Sequence, residues 1–273
     1  MPSGHTPRLL IAGCGDLGQR LTRYLDGWRF FGLRRNVSRL DAPIEPLSAD
    51  LSQPRSLRVA AGFWDAVVYT ATPGEFTPDA YRATYVEGLR ALMAQVESPR
   101  WIMVSSTAVY GQDAGEWVDE DSPTEPSRFN GEILLEAERV VAERAGLAVR
   151  FSGIYGPGRD FLIRKVRRGG VRCRRSPPVW TNRIHSEDCA SALAHLVELE
   201  SPGSVYVATD RLPAPRWDVL EWLASRLGLP GPEAIDEPGG QGKRACAERL
   251  YSTGFALQYP DYKTGYSELL ECE

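Results

Sequence analysis

Three glycines mark the first place where this chain could do chemistry: Gly13, Gly15 and Gly18, in Gly13-Cys14-Gly15-Asp16-Leu17-Gly18. They follow an apolar run, Arg8 to Ala12, and lead into Leu17, Leu21, Tyr24 and Leu25 at helical spacing. A glycine turn between a strand and a helix suits a pyrophosphate. The first glycine makes the tight turn, the second lets the backbone approach the phosphates, and the third lets the helix lie close on the strand. The backbone N–H groups at the helix start, Asp16 and Leu17 included, then face the anion. A ligand-free Gly-rich turn is the competing reading, and the strand–turn–helix context favours the nucleotide.

A second anion-binding locus lies downstream. The run Trp28 to Leu33 ends in Arg34-Arg35. A site for an unphosphorylated ribose usually places a carboxylate about 20 residues past the glycines. Two guanidiniums stand here instead, and they match a 2′-phosphate in charge and geometry. The pair predicts NADP(H) over NAD(H), against a reading as solvated turn arginines. Asp50-Leu51, after the Pro43 to Leu47 run, occupies the loop that flanks adenine in dinucleotide-binding proteins. Thr70-Ala71-Thr72 ends the run begun at Ala66, where small side chains let a cofactor lie close. Ordinary loop chemistry explains these two segments equally well.

These residues need elements to hold them. Apolar runs Arg8–Ala12, 28–33, 66–71, 101–105 and Leu147–Phe151 alternate with amphipathic stretches at 81–96 and 131–144. Near-continuous apolar strands between helices predict an α/β, Rossmann-type doubly wound parallel sheet covered on both faces. Residues 188–199 read as a later helix, 205–208 as another strand, and 217–227 as an amphipathic helix stopped by Gly228 and Pro230. Residues 230–243, rich in Gly and Pro, read as a loop. The acidic stretch 113–125 reads as a surface excursion. The expected organisation is a nucleotide-binding core at 1–153, completed by about 184–210. Residues 154–183 and 211–273 form a smaller substrate lobe over the carboxyl ends of the strands.

Bulk properties bound the function. The chain has 273 residues and a formal charge of −4. That balance gives no reason to expect nucleic acid or an anionic membrane as partner. The apolar run after the first residues is too short for a signal peptide, and nothing approaches a membrane span. Five scattered cysteines without metal-ligand spacing suggest reduced thiols, and a cytoplasmic protein is expected. No His/Asp/Glu cluster has metal-ligand spacing, so a metal hydrolase has little support.

Several segments together resemble the extended branch of the short-chain dehydrogenase/reductase superfamily, the epimerase/dehydratase type. Ser105-Ser106-Thr107-Ala108-Val109-Tyr110-Gly111 is similar to its fifth-strand signature. Arg150 to Gly158, with Tyr155-Gly156-Pro157-Gly158, resembles the segment after the sixth strand. Arg183-Ile184-His185-Ser186-Glu187-Asp188 resembles the stretch leading into a later helix. The resemblance implies a substrate-polarising hydroxyl at Ser106, with Thr107 adjacent. It also implies an acid/base Tyr and a Lys four residues later, on the helix after the fifth strand. Aligned on Gly131, those positions are Asn130 and Leu134, and a family Asn on the preceding helix is Tyr85. A substitute acid could come from Tyr155 at the strand exit, from Tyr110 or from His185; the last two read better as structural groups.

Two functions remain open at this point. One is an NADP-dependent oxidoreductase or epimerase/dehydratase-like enzyme with a non-standard site, acting on a small molecule. The other is a catalytically silent NADP(H)-binding sensor or regulatory module. The basic run Arg159, Arg164, Lys165, Arg167 and Arg168 is either an anionic-substrate contact or a solvated helix face. Leu89, Leu92, Met93, Leu135, Val140 and Val141 could serve the core or a homodimer interface.

Overall fold

A computed structural model describes residues 5–271. Met1 to Gly4, at the start of the segment read for a signal peptide, and Cys272 lie outside the described residues. The central sheet has seven strands: β1 (Arg8–Ala12), β2 (Arg29–Arg34), β3 (Ile44–Ser48), β4 (Ala66–Tyr69), β5 (Trp101–Ser106), β6 (Leu147–Phe151) and β7 (Val205–Ala208). Their order is β7-β6-β5-β4-β1-β2-β3. Pairing is parallel from β5 through β4, β1 and β2 to β3. This is the Rossmann-like α/β architecture expected from the alternating runs. The interior strands are buried along nearly their whole length, Leu9 to Ala12 and Ala66 to Tyr69 among them. Apolar side chains therefore face helices on both sides of the sheet.

The strand β3 differs from the sequence reading, which left its segment as an apolar-Pro run. Pro46 has no N–H to donate, yet it pairs opposite Gly32. The strand survives because it is the sheet edge, where one side needs no ladder bonds.

Helices α1 (Asp16–Leu21), α2 (Pro78–Arg82), α3 (Gly88–Met93) and α4 (Phe129–Ala142) belong to the same unit as the first five strands. Thr77 caps α2 by accepting from the Ala80 N–H at 3.3 Å, and Pro78 occupies the first turn, where its missing N–H costs nothing. A π-helical turn, Ala83–Glu87, joins α2 to α3. Helix α4 buries Ile133, Leu134, Ala137, Val140 and Val141 along one stripe. Leu89, Leu92, Met93, Val140 and Val141 all lie in the chain's own core. Between these helices, Arg82 pairs with Glu136 at 2.7 Å and Arg90 with Glu143 at 3.2 Å.

Contacts divide the chain into two compact units. The first takes the described residues through Val109, then Thr124–Arg150 and Ala190–Tyr206; the second takes Tyr110–Pro123, Phe151–Cys189 and the residues from Val207 on. The sequence places residues 110–123 with the nucleotide core and reads 113–125 as a surface excursion, and the structure differs at both. Instead Ala114–Val118 is a strand pairing in parallel with Gly242–Ala245, at the end of the expected loop, in a four-stranded sheet of the second unit. Neither segment shows this alone, because the pairing spans more than 120 residues of chain and no local pattern encodes it. The second unit's core gathers Ile163, Val166, Trp217, Leu220, Leu223, Tyr262 and Tyr266. In the helix Phe161–Arg167, Ile163 and Val166 are buried while Arg164 and Arg167 stay exposed, as on a solvated face.

Candidate functional site

Strand order reverses between β1 and β4, and the turn leaving β1 lies at that switch point. Ligands of open α/β sheets bind in the crevice this reversal creates. Each glycine of the turn has a distinct spatial reason. Gly13 has φ +78°, and a Cβ there would sit 2.3 Å from the Cα of Ala71. Gly18 faces the strand: a Cβ would meet Ile11 Cγ2 at 2.7 Å and Cys14 Sγ at 3.2 Å. At Gly15 the nearest atom to a Cβ would be 3.7 Å away, so this position leaves open space beside the backbone.

Neighbouring bonds fix the turn. The N–H groups of Gly13 and Cys14 donate to the Leu33 carbonyl at 2.9 and 3.2 Å. Thr70 Oγ1 donates to the Gly13 carbonyl at 3.1 Å. Arg34 Nη1 donates to the Cys14 carbonyl at 2.9 Å, drawing the end of β2 to the glycine turn. Cys14 is buried, and that burial pushes its thiol up to about 12 against the pull of Arg34.

A cleft of about 660 Å³ opens here. Of the residues expected to bind cofactor, it is lined by Gly13, Gly15, Arg34, Arg35, Asp50, Leu51, Ala71 and Thr72. Asp16, Leu17, Gly18 and Thr70 do not line it. Leu17 and Gly18 are buried in packing, Thr70 ties the turn, and Asp16 accepts from Arg20 Nε at 2.7 Å. Sequence reasoning missed Asn36, Arg39, Ser52, Glu75 and Thr84, which also line the cleft. Arg39 carried a legible signal: it is a third cation within six residues of Arg34. Asn36 accepts from the Ser38 N–H at 3.1 Å, and the resulting turn Val37–Arg39 returns Arg39 to the cleft. The Ser52 N–H, the Ser52 hydroxyl and the Arg35 guanidinium hold the Asp50 carboxyl below its usual range.

Ser106 and Thr107, at the end of β5, are half-buried and lie in the same unit. Ser106 Oγ accepts from the Ala108 N–H at 3.2 Å, which leaves its own proton to donate. Its neighbour Ser105 is a structural group. It donates to Glu138 Oε1 at 2.6 Å, and Arg150 grips the same carboxylate at 2.7 Å through Nη2. This buried trio joins β5, α4 and β6. Asn130, the second residue of α4, has a buried Oδ1 without a hydrogen-bond partner. Leu134 is buried, and so is Tyr85.

Tyr155 departs from expectation. It ends a short strand, Gly153–Tyr155, but its ring is 4% exposed and sits in the second unit's core, 4.5 Å from the Tyr266 ring. A Cβ on Gly265 would lie 2.0 Å from its hydroxyl, so the missing side chain is what admits the phenol. Burial pushes its hydroxyl far above the usual tyrosine range, which does not suit a proton donor. Tyr110 and His185 hold structural positions. Tyr110 donates to the Asp119 carbonyl at 2.6 Å, and the fully buried His185 ring stacks 3.8 Å from Tyr259.

Among the described residues, no helix is long and apolar enough to cross a membrane, and no group of three or more His, Cys, Asp or Glu could hold a metal ion. A reversed strand order with a glycine turn at the reversal defines a Rossmann-type nucleotide-binding protein. Known proteins narrow the class. No protein-family model matches the chain. A solved structure described as an NAD-dependent epimerase/dehydratase from Methylobacillus flagellatus is 37% identical, with a TM-score of 0.84, covering 98% of this chain and 99% of that one. A functionally unknown conserved protein from Silicibacter pomeroyi is 30% identical, with a TM-score of 0.75 and coverage of 98% and 99%. A 3-diazoavenalumate denitrifying reductase from Streptomyces is 28% identical over 258 residues, 84% of each chain. The chain belongs to the NAD-dependent epimerase/dehydratase family of the short-chain dehydrogenase/reductase superfamily.

Proposed function

We propose that this protein is an NADP(H)-dependent reductase that works without the family's tyrosine–lysine pair. The observation that carries the cofactor choice is the cationic end of the cleft. Arg34, Arg35 and Arg39 line it, with Asn36 beside them, and β2 ends in a guanidinium where an NAD site offers a carboxylate. The residues fit the group: open backbone at Gly15 for the pyrophosphate, small Ala71 and Thr72 beside it, and cations for a 2′-phosphate.

Bound reduced cofactor supplies a hydride. The chain's own residues limit which acceptor suits it. Asn130 holds the position of the family's acid but has no proton to give as one, and the buried Leu134 supplies no charge to stabilise a phenolate. Ser106 keeps a hydroxyl that can donate a hydrogen bond to a substrate oxygen. Such a site favours an acceptor that is already electrophilic and needs no proton in the same step. An activated cation, neutralised by the hydride itself, is the simplest case. The Streptomyces reductase is named for a diazo compound, whose terminal nitrogen is electrophilic.

Equilibrium titration with NADPH and NADH is the test. NADPH is expected to bind at least about tenfold more tightly, from charge-assisted phosphate contacts of roughly 1.5–3 kcal/mol. Equal affinities would sink the NADP assignment. Reduction of an arenediazonium salt by NADPH, followed at the nicotinamide absorbance, then checks turnover. A silent binding module would retain NADPH without consuming it.

A further inference from the structure

Beside the cleft, the first unit carries an aromatic cluster that the cofactor reading does not use. Phe76 is 63% exposed, unusual for a ring held in place by its neighbours. It meets Tyr81 at 5.4 Å between ring centres and 84° between planes, and Phe129 at 5.0 Å and 60°. Tyr81 and Phe129 close the triangle at 5.4 Å and 83°. Tyr81 meets both phenylalanines edge-to-face, the two phenylalanines are tilted against each other, and one side of Phe76 stays open. The cluster adjoins the cleft along the chain. Glu75 and Ala80 line the cleft, and they adjoin Phe76 and Tyr81 in the chain. The π-helical turn Ala83–Glu87 follows directly. Tyr69 Oη donates to the Thr84 carbonyl within that turn at 2.5 Å, and such turns recur at functional sites. Next to Phe129 stands Asn130, whose buried Oδ1 lacks a donor. An unmet buried acceptor is costly and calls for a partner.

We infer that Phe76, Tyr81 and Phe129 form a stacking platform for an aromatic ring of the substrate, and that Asn130 Oδ1 accepts a hydrogen bond from a donor group on that molecule. The inference rests on the reductase reading above and names its substrate class: a planar aromatic compound bearing a hydroxyl or amino group. A flexible aliphatic chain would gain from burial but not from the ring geometry. In this arrangement Asn130 is an anchor for the substrate, a role the amide can fill and an acid need not.

The experiment uses the full chain loaded with NADP⁺ and three probes: para-cresol, 4-methylcyclohexanol and 4-methylanisole. Binding is followed by ligand-observed NMR. The phenol is expected to bind at least about tenfold more tightly than its saturated counterpart, and about threefold or more above the anisole, which lacks the donor. Phe76→Ala should weaken para-cresol by about five- to tenfold while NADP⁺ affinity stays within about twofold. Asn130→Ala should erase the difference between phenol and anisole. Equal affinity for para-cresol and 4-methylcyclohexanol would overturn the inference, as would an unaffected Phe76→Ala. A Phe76→Ala variant that dissociates a dimer in sedimentation, with para-cresol binding unchanged, would make the patch a contact between copies and also sink it. Should NADP⁺ fail to bind while para-cresol binding still depends on Phe76, the cofactor reading falls and the aromatic subsite stands.

Discussion

Arg34, Arg35 and Arg39 differ in what they can give a phosphate. Arg34 already donates to the Cys14 carbonyl, whereas Arg35 and Arg39 are exposed at the cleft. Arg35→Ala and Arg39→Ala should therefore each reduce the NADPH preference over NADH, by about tenfold, with little change in NADH affinity. Paired titrations of each variant read this directly. Gly13 makes the opposite kind of contribution, one of space. With φ at +78° and Ala71 backbone 2.3 Å from a would-be Cβ, Gly13→Ala must move β1 away from the loop after β4. Backbone strain and overpacking together should cost on the order of 2–4 kcal/mol and abolish nucleotide binding. Urea denaturation and a nucleotide titration check the two effects separately.

At the scale of elements, the buried Glu138 carboxylate joins α4 to β5 and β6 through Ser105 and Arg150. Replacing it with alanine takes the paired carboxylate away from Arg150 inside the core. Breaking one partner of such a pair typically costs about 3–5 kcal/mol. Glu138→Ala is thus expected to lose that much in chemical denaturation. The double variant Glu138→Leu with Arg150→Met should recover most of it, since apolar replacements remove the stranded charge. This trio was not legible beforehand. Glu138 sits in a helix that reads as amphipathic, and its charge faces inward only because Arg150 arrives there from a strand twelve residues later. Strand β3 was hidden by Pro46 in a similar way, since only its edge location makes proline acceptable.

Across the molecule, two acids of the second unit set a pH dependence. Burial raises the Asp210 carboxyl to about 7, against the pull of Arg183, and raises Asp188 to about 6. Between the ordinary carboxylate range and those values, the folded chain holds protons that the unfolded chain has released. Their contribution to stability is full at pH below about 4 and is lost as pH rises through 6 to 7. A tenfold gain in a carboxyl's proton affinity on folding corresponds to about 1.4 kcal/mol, so the stability due to these acids should fall measurably as pH rises from about 5 to about 8. Asp210→Asn should flatten that slope in thermal or urea unfolding followed across pH. A slope unchanged by the substitution would remove Asp210 as its source.

The strand–turn–helix at the glycines, the run of parallel strands and the arginines after β2 were all readable from one sequence. Each depends on residues within a few positions of one another, where periodicity and backbone freedom act locally. The division into units, the edge role of β3 and the strand at Ala114–Val118 were decided by pairing between distant segments. Tyr155 shows the same limit at a single residue. Its place at a strand end was plain, but the direction of its ring was set by Gly265, more than a hundred residues away, whose missing side chain leaves the room the phenol needs. Local chemistry thus fixed the glycine turn and the fold, while long-range packing chose which side chains face the cleft.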